Sequence, residues 1–350
     1  MRRLSHYYIN YNSFIYVFVI CFLLCLVLYK IFIPILYRFK IGQTIREDGP
    51  ETHLKKQGTA TMGGIIFSLV IIVVSSVSII TMFSKSLYTF HYNSLYLLFS
   101  MFLFAVIGFI DDYLKIKVKN TKGLMPRFKF LLQVCSGLLF IYCIFFNGLN
   151  INILPARLIL RFTNTTINFT GIGIVLFVFI LMFIILGTNN GVNFTDGLDG
   201  LCSSVTIIVA ILYFIVSIKM KEYELAIINI SVIASLLGFL VYNHFPAKIF
   251  MGDTGSLFLG AYVALMAILL DIELLIPIFG FIYLIEIVSV IMQVSFFKWT
   301  HGRRIFLMTP IHHHFEKMGM KEYKIVLMFD LITIVLSIVS YFIIFGGING

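Results

Sequence analysis

Apolar positions along this 350-residue chain gather into long unbroken runs, not into the alternating or every-third-or-fourth patterns of a soluble core. Runs long enough, or nearly so, to cross a bilayer occupy 14–37, 62–83, 95–111, 128–146, 171–188, 201–218, 223–242, 256–270, 274–297 and 325–345. They predict ten transmembrane helices joined by nine loops. The seventh and eighth are the least clear, because Asn229, Asn243 and His244 dilute them. Residues Asn147–Thr170, rich in Asn and Thr and containing Pro155, read as a loop with a short hairpin. No inverted repeat of the kind found in many transporters is visible, and no low-complexity segment.

Composition sharpens this picture. Apolar residues make up 60% of the chain and charged ones 12%, about half the ~25% of an ordinary globular domain. That is too little charge to cover a soluble surface, so a water-soluble protein is excluded. A single-span anchored enzyme is excluded too, because the apolar positions run the whole length. The fold class is all-α: a polytopic integral membrane protein, with 1–350 forming one transmembrane domain. Cys21, Cys25, Cys135, Cys143 and Cys202 all fall in apolar runs without metal-ligand spacing, and read as small buried hydrophobes. The first run is span-length and no A-x-A site follows it, so it reads as a helix and not as a cleaved signal.

The net charge of +10 would suggest nucleic acid in a soluble protein. In a membrane protein it reads as basic loops held on the cytoplasmic side, with no nucleic-acid partner. The odd-numbered loops hold 17 Lys and Arg; the even-numbered ones, with Arg2 and Arg3 of the N-terminus, hold 7. Odd loops are therefore expected in the cytoplasm and both termini outside. The polar clusters Lys55–Gly64, Asp111–Lys115, Asn189–Gly200, Asn243–Ser256 and His312–His314 all fall on odd loops or at their edges. That shared parity predicts one active site on the cytoplasmic face.

Each cluster suggests chemistry. In T-N-N-G-V-N-F-T-D-G-L-D-G-L (188–201), Asn190, Asn193, Asp196 and Asp199 recur every three residues, one polar stripe on a helical turn with no local Lys or Arg to neutralise it. Asp111 and Asp112 close an apolar helix, with Lys115 at i+4 from Asp111. Adjacent carboxylates at a lipid boundary are costly unless a cation or proton compensates. Acids for a metal and an ammonium for phosphate oxygens suit phosphoryl chemistry. Asp253, between Gly252 and Gly255, precedes an apolar helix; Asp253 or Thr254 suits its N-cap, and the helix N-terminus suits a pyrophosphate. Phe250 reads as packing or as a platform for a base.

The carboxylates favour a hard, oxygen-liking ion such as Mg²⁺. His312, His313 and His314 raise zinc as a rival, but they diverge by ~100° per residue on a helix, and no H-E-x-x-H or C-x-x-C completes a site. They read instead as hydrogen-bonding a phosphate or sugar. Neither a P-loop nor a G-x-G-x-x-G is present. Glu286 is the only charge well inside a late span; acids otherwise sit at span ends, unlike the mid-bilayer carboxylates of a transporter.

Six motifs in order carry a family resemblance: R-E-D-G-P (46–50), G-T-A-T-M-G-G (58–64), D-D-Y-L-K (111–115), the Asn190–Leu201 cluster, F-P-A-K-I-F-M-G-D-T-G-S (245–256) and P-I-H-H-H-F-E (310–316). The chain resembles the phospho-N-acetylmuramoyl-pentapeptide-transferase family, within the polyprenyl-phosphate N-acetylhexosamine-1-phosphate transferases. Ala60 departs from the proline usual in the second motif. The resemblance implies ten helices in a bacterial cytoplasmic membrane and transfer of phospho-MurNAc-pentapeptide from UDP to undecaprenyl phosphate, with Mg²⁺ required and UMP released. It allows a homodimer. By that resemblance Asp111, Asp112 and Asp253 form the acidic centre, with Asp253 nearest the metal and His312 in a catalytic role. Asn193, Asp196, Asp199 and Asn243 line the nucleotide and diphosphate site, Lys56 and Lys115 meet phosphates, and Phe250 meets uracil. Thr61, Asn190 and His313 complete the substrate-binding set. The rivals are a hexosamine-phosphate transferase, which usually carries a different histidine motif, and a transporter.

Overall fold

A computed structural model describes residues 12–39, 42, 56, 58–84, 92–118, 123–147 and 154–346. Arg2, Arg3 and the R-E-D-G-P motif lie outside the described residues. Among the described residues ten helices are long and apolar enough to cross a membrane. In chain order the helices are α1 (Asn12–Arg38), α2 (Gly64–Ser84), α3 (Tyr92–Val118), α4 (Pro126–Ile141, continued by a π-helical turn Tyr142–Phe146) and α5 (Gly173–Thr195). After them come α6 (Leu201–Met220), α7 (Tyr223–Asn243), α8 (Gly252–Leu269), a four-residue α9 (Ile276–Phe279), α10 (Phe281–Trp299), a short α11 (Ile311–Lys317) and α12 (Glu322–Gly346). The only sheet among the described residues is the expected hairpin, β1 (Arg157–Leu160) antiparallel to β2 (Thr165–Asn168), with Arg157 opposite Asn168. The chain is a multi-pass all-α membrane protein.

The bundle is organised around α8, whose span is 83% buried, against 22% for α1. Between lipid-facing helices there is little hydrophobic drive, so close packing of small residues holds the interior together. Glycines supply that closeness: a Cβ on Gly64 of α2 would overlap the backbone of Gly255, and one on Gly108 of α3 would overlap that of Asp253. On α1 the faces divide cleanly, with Val17, Cys21, Cys25 and Tyr29 buried and Ile15, Val19, Leu23 and Val27 outward.

Asn229, which weakened the seventh span as a sequence reading, is paired inside the bundle. Its Nδ2 donates to Ser217 Oγ at 2.9 Å and its Oδ1 accepts from Tyr262 Oη at 2.7 Å. A buried amide is tolerated when both of its ends are met. Two expectations need correction. The ninth run is not one helix: a 3₁₀ turn at Glu273–Leu275 and the short α9 end at Gly280, where α10 begins. Cys135 is exposed and Cys143 half-buried, on the outer side of α4, so only three of the five cysteines are buried.

Candidate active site

The close crossing of α3 and α8 sets the centre of the site. Asp111 and Asp112 do not close α3, which runs on to Val118; both lie about two turns inside its end. Asp112 reaches the first turn of α8. Its Oδ1 accepts from the Asp253 N–H at 3.0 Å, and its Oδ2 accepts from the Thr254 N–H at 2.9 Å and the Thr254 hydroxyl at 2.7 Å. The cap of α8 therefore comes from another helix, in place of the expected Asp253 or Thr254, and this use of the first free N–H groups takes them from a pyrophosphate. Gly252 takes φ +70° there, and a Cβ on it would sit 2.6 Å from Asp112 Oδ2.

Carboxylate oxygens of Asp111, Asp112 and Asp253 all lie within 4.8 Å of one another. Two lysines bridge them. Lys115 Nζ is 2.6 Å from Asp111 Oδ2 and 2.6 Å from Asp253 Oδ2, and Lys129 Nζ is 3.0 Å from Asp253 Oδ2 and 3.8 Å from Asp111 Oδ2. Asp111 Oδ1 accepts from the Leu124 N–H at 2.7 Å. Asn193 Nδ2 donates to Asp253 Oδ1 and to Ser256 Oγ, each at 2.7 Å. Three carboxylates against two ammonium groups leave an excess of negative charge, and the donors are all oxygen. That set fits a hard divalent cation and could hold a metal ion.

The expected stripe Asn190–Asn193–Asp196–Asp199 is broken. Helix α5 ends at Thr195, and Asp196 has left helical geometry with ψ 52°. Asn190 instead pairs one turn deeper, donating to Gln133 Oε1 of α4 at 3.0 Å. Asp199 does have a cation: Lys56 Nζ lies 2.7 Å from its Oδ1 and 2.6 Å from Glu322 Oε1. Glu322 also accepts the Asp199 N–H at 2.6 Å, and Asp199 Oδ2 accepts the Ala247 N–H at 2.9 Å. Burial raises the Asp196 carboxyl well above the ordinary carboxylate range, and the charges of Asp253, Asp112 and Asp199 push it the same way. Asn243 is buried and fully engaged, accepting from the Gly200 N–H and Ser203 Oγ and donating to the Ile249 carbonyl.

The G-T-A-T-M-G-G strip, with Thr61 buried in it, runs beside Ile249–Met251. The Phe250 N–H donates to the Ala60 carbonyl, and the Gly63 N–H donates to the Phe250 carbonyl, both at 2.8 Å. The ring of Phe250 is half-buried. His312 is fully buried and its Nδ1 lies 3.0 Å from Glu286 Oε2 of α10, while His313 Nδ1 lies 2.7 Å from Glu316 Oε2. Elements from loops one, three, five, seven and nine thus meet at one end of the bundle. Lys129, Glu322 and Gln133 are members that sequence reasoning missed; Ser256 ended a named motif without a role of its own. Lys129 stands in the first turn of α4 beside Arg127, at the head of an apolar run, and basic residues there read as an ordinary span boundary.

Comparison with known proteins gives the same picture. A family model described as glycosyl transferase family 4 matches residues 94–271. The chain is 43% identical over 327 residues to phospho-N-acetylmuramoyl-pentapeptide-transferase of Clostridium acetobutylicum, covering 93% of this chain and 98% of that protein. It is 43% identical over 324 residues to the protein of that name from Clostridium perfringens strain 13, covering 92% and 96%. The corresponding Clostridioides difficile protein is 40% identical over 331 residues, covering 94% and 97%. Fold, acidic centre and relatives together define a membrane-embedded glycosyl-phosphate transferase. Within that class the chain belongs to the phospho-N-acetylmuramoyl-pentapeptide-transferase family, and its work is in peptidoglycan synthesis.

Proposed function

We propose that this chain, as one transmembrane domain in the cytoplasmic membrane, passes phospho-MurNAc-pentapeptide from UDP-MurNAc-pentapeptide to undecaprenyl phosphate and releases UMP. The observation that carries the reading is the meeting of Asp111, Asp112 and Asp253 with Lys115 and Lys129 at the end of the lipid-embedded bundle. A site placed there can meet a water-soluble nucleotide and a lipid phosphate at once. The excess of Lys and Arg in the odd-numbered loops supports a cytoplasmic position for that end.

An oxygen of the lipid phosphate attacks the phosphorus that bears the sugar. The bond from that phosphorus to UMP breaks, and UMP leaves with the electron pair. Both reactants are anions, so Coulomb repulsion opposes their approach. Lys115 and Lys129 lower the barrier by holding phosphate oxygens in line, and Lys56 meets the diphosphate from the other side. Asp253, with Asp111 and Asp112, would hold Mg²⁺, which when bound screens the charge on the diphosphate. Asp111 or Asp112 removes any proton left on the lipid phosphate. Asn193 fixes the Asp253 carboxylate, Asp196 and Asp199 shape the turn that receives the nucleotide, and Phe250 meets its base.

The test is UMP release by the purified chain from UDP-MurNAc-pentapeptide with undecaprenyl phosphate and Mg²⁺. Turnover is expected with that donor. Turnover with UDP-GlcNAc alone would overturn the substrate assignment, and a phosphorylated enzyme trapped without lipid acceptor would overturn direct attack.

A further inference from the structure

Glu286 is a carboxylate placed where nothing in the phosphoryl chemistry uses it. It sits on α10 with 0% exposure. Among the described residues no Lys or Arg lies within ion-pair distance of it; its one titratable neighbour is His312, whose Nδ1 is 3.0 Å from Oε2. Among the described residues neither carboxylate oxygen of Glu286 and neither ring nitrogen of His312 has a hydrogen-bond partner. A buried carboxylate without a strong partner costs stability and is not kept for stability's sake. Something about this geometry is worth that cost.

The far side of the imidazole shows what it is. His312 Nε2 and Cε1 occupy the space where a Cβ on residue 197 would stand, so only glycine fits at Gly197. The ring is pressed edge-on against the turn that carries Asp196 and Asp199. On its other side it lies against His313, ring centroids 4.1 Å apart at 63°, and His313 is held by its own glutamate, Glu316. Helix α10 grips the same loop a second time, two turns further on. Gln293 Oε1 accepts the N–H groups of Ile305 and Phe306, each at 3.0 Å, and its Nε2 donates to the Phe306 carbonyl at 3.1 Å. Glu286 and Gln293 both belong to the short list of buried residues on α10, with Ile282, Tyr283 and Ser289.

We propose that Glu286 is a positioning residue of this active site: standing 3.0 Å from Nδ1 of His312, it seats the imidazole against Gly197 and so fixes the Asp196–Gly200 turn. His312 then acts through the turn and not by touching substrate. The inference rests on the transferase reading above, but its test can be read separately.

The experiment is a double-mutant cycle on the full chain in detergent, with UMP release as the readout and a monodisperse elution peak as the folding check. Glu286→Gln is expected to lower kcat by about tenfold or more, as removal of an orienting partner does. In a His312→Ala background the same change is expected to cost less than about twofold, because the contact it serves is already gone. A merely structural glutamate would cost the same in both backgrounds, and that result, or a Glu286→Gln chain as active as wild type, overturns the proposal. Should Glu286→Gln not fold, Gly197→Ala reads the same contact. It is expected to lose about tenfold or more with His312 present and less than about twofold with His312→Ala; equal losses overturn the proposal. Wild-type turnover tests the transferase reading on its own, and a chain active only on UDP-GlcNAc leaves the cycle readable with that donor.

Discussion

At the N-terminal end of α8, Asp253 shares two lysines with Asp111 and takes an amide from Asn193, while Asp112 crowds in from α3. At the C-terminal end of the same helix, Asp271 meets Arg157 of the hairpin at 2.9 Å, and its carbonyl accepts from Arg161 Nε at 3.2 Å. Beside it Glu273 is buried, and burial pushes its carboxyl up to about 8, so it is largely neutral below that pH. Acids outnumber cations at the first end, and at the second the cations meet what charge there is. Charge left over after the fold's own pairing marks the end built to receive something from outside. The balanced end only pins a hairpin over the helix terminus.

The contrast can be broken by mutation, most severely at Asp253. Asp253→Asn is expected to cut UMP release by about three orders of magnitude, the upper scale for removing one preorganised stabilising group, while leaving a folded, monodisperse protein. Substantial remaining turnover would remove the distinction between the two ends. Lys129→Ala should cost about 10²-fold in turnover by the same reasoning. Its counterpart, Arg157→Ala, should leave turnover unchanged and lower stability by less than about 1 kcal/mol, because the Arg157–Asp271 pair is about a third exposed and screened. The smallest effect concerns pH. A carboxyl held up at about 8, against an ordinary 4.5, binds its proton more tightly when folded. The stability this gives is complete below pH 4.5 and is lost as pH rises through 8. Glu273→Gln keeps the neutral form at every pH. Its melting temperature should therefore fall less than that of wild type between pH 6 and pH 9, and an identical fall would place the sensitivity elsewhere.

The spans were legible because a bilayer demands long apolar runs, and nothing else in this chain could have produced ten of them. The shared parity of the polar loops was legible for the same reason: alternating crossings put every second loop on one side. What the chain does with those loops was less readable. Asn190 and Asn193 lie on the same face of α5, as their spacing implies, yet one meets Gln133 and the other Asp253. Beyond Thr195 the spacing loses meaning, because the turn is shaped by Glu322, Asn243 and His312, each far off in the chain. Lys129 and Glu322 escaped notice because charges at the first turn of a span, here beside Arg127 and between Lys321 and Lys324, look the same whether they face water or an active site.

Lys56, in the first loop, is seated between Asp199 and the Glu322 that opens the last helix. A ribosome delivers these residues in order, so nearly the whole protein must be made before that lysine gains its second carboxylate. Folding of the site is thereby tied to the end of synthesis. A chain halted before residue 322 could insert most of its helices and still lack the clasp that holds the Asp199 turn.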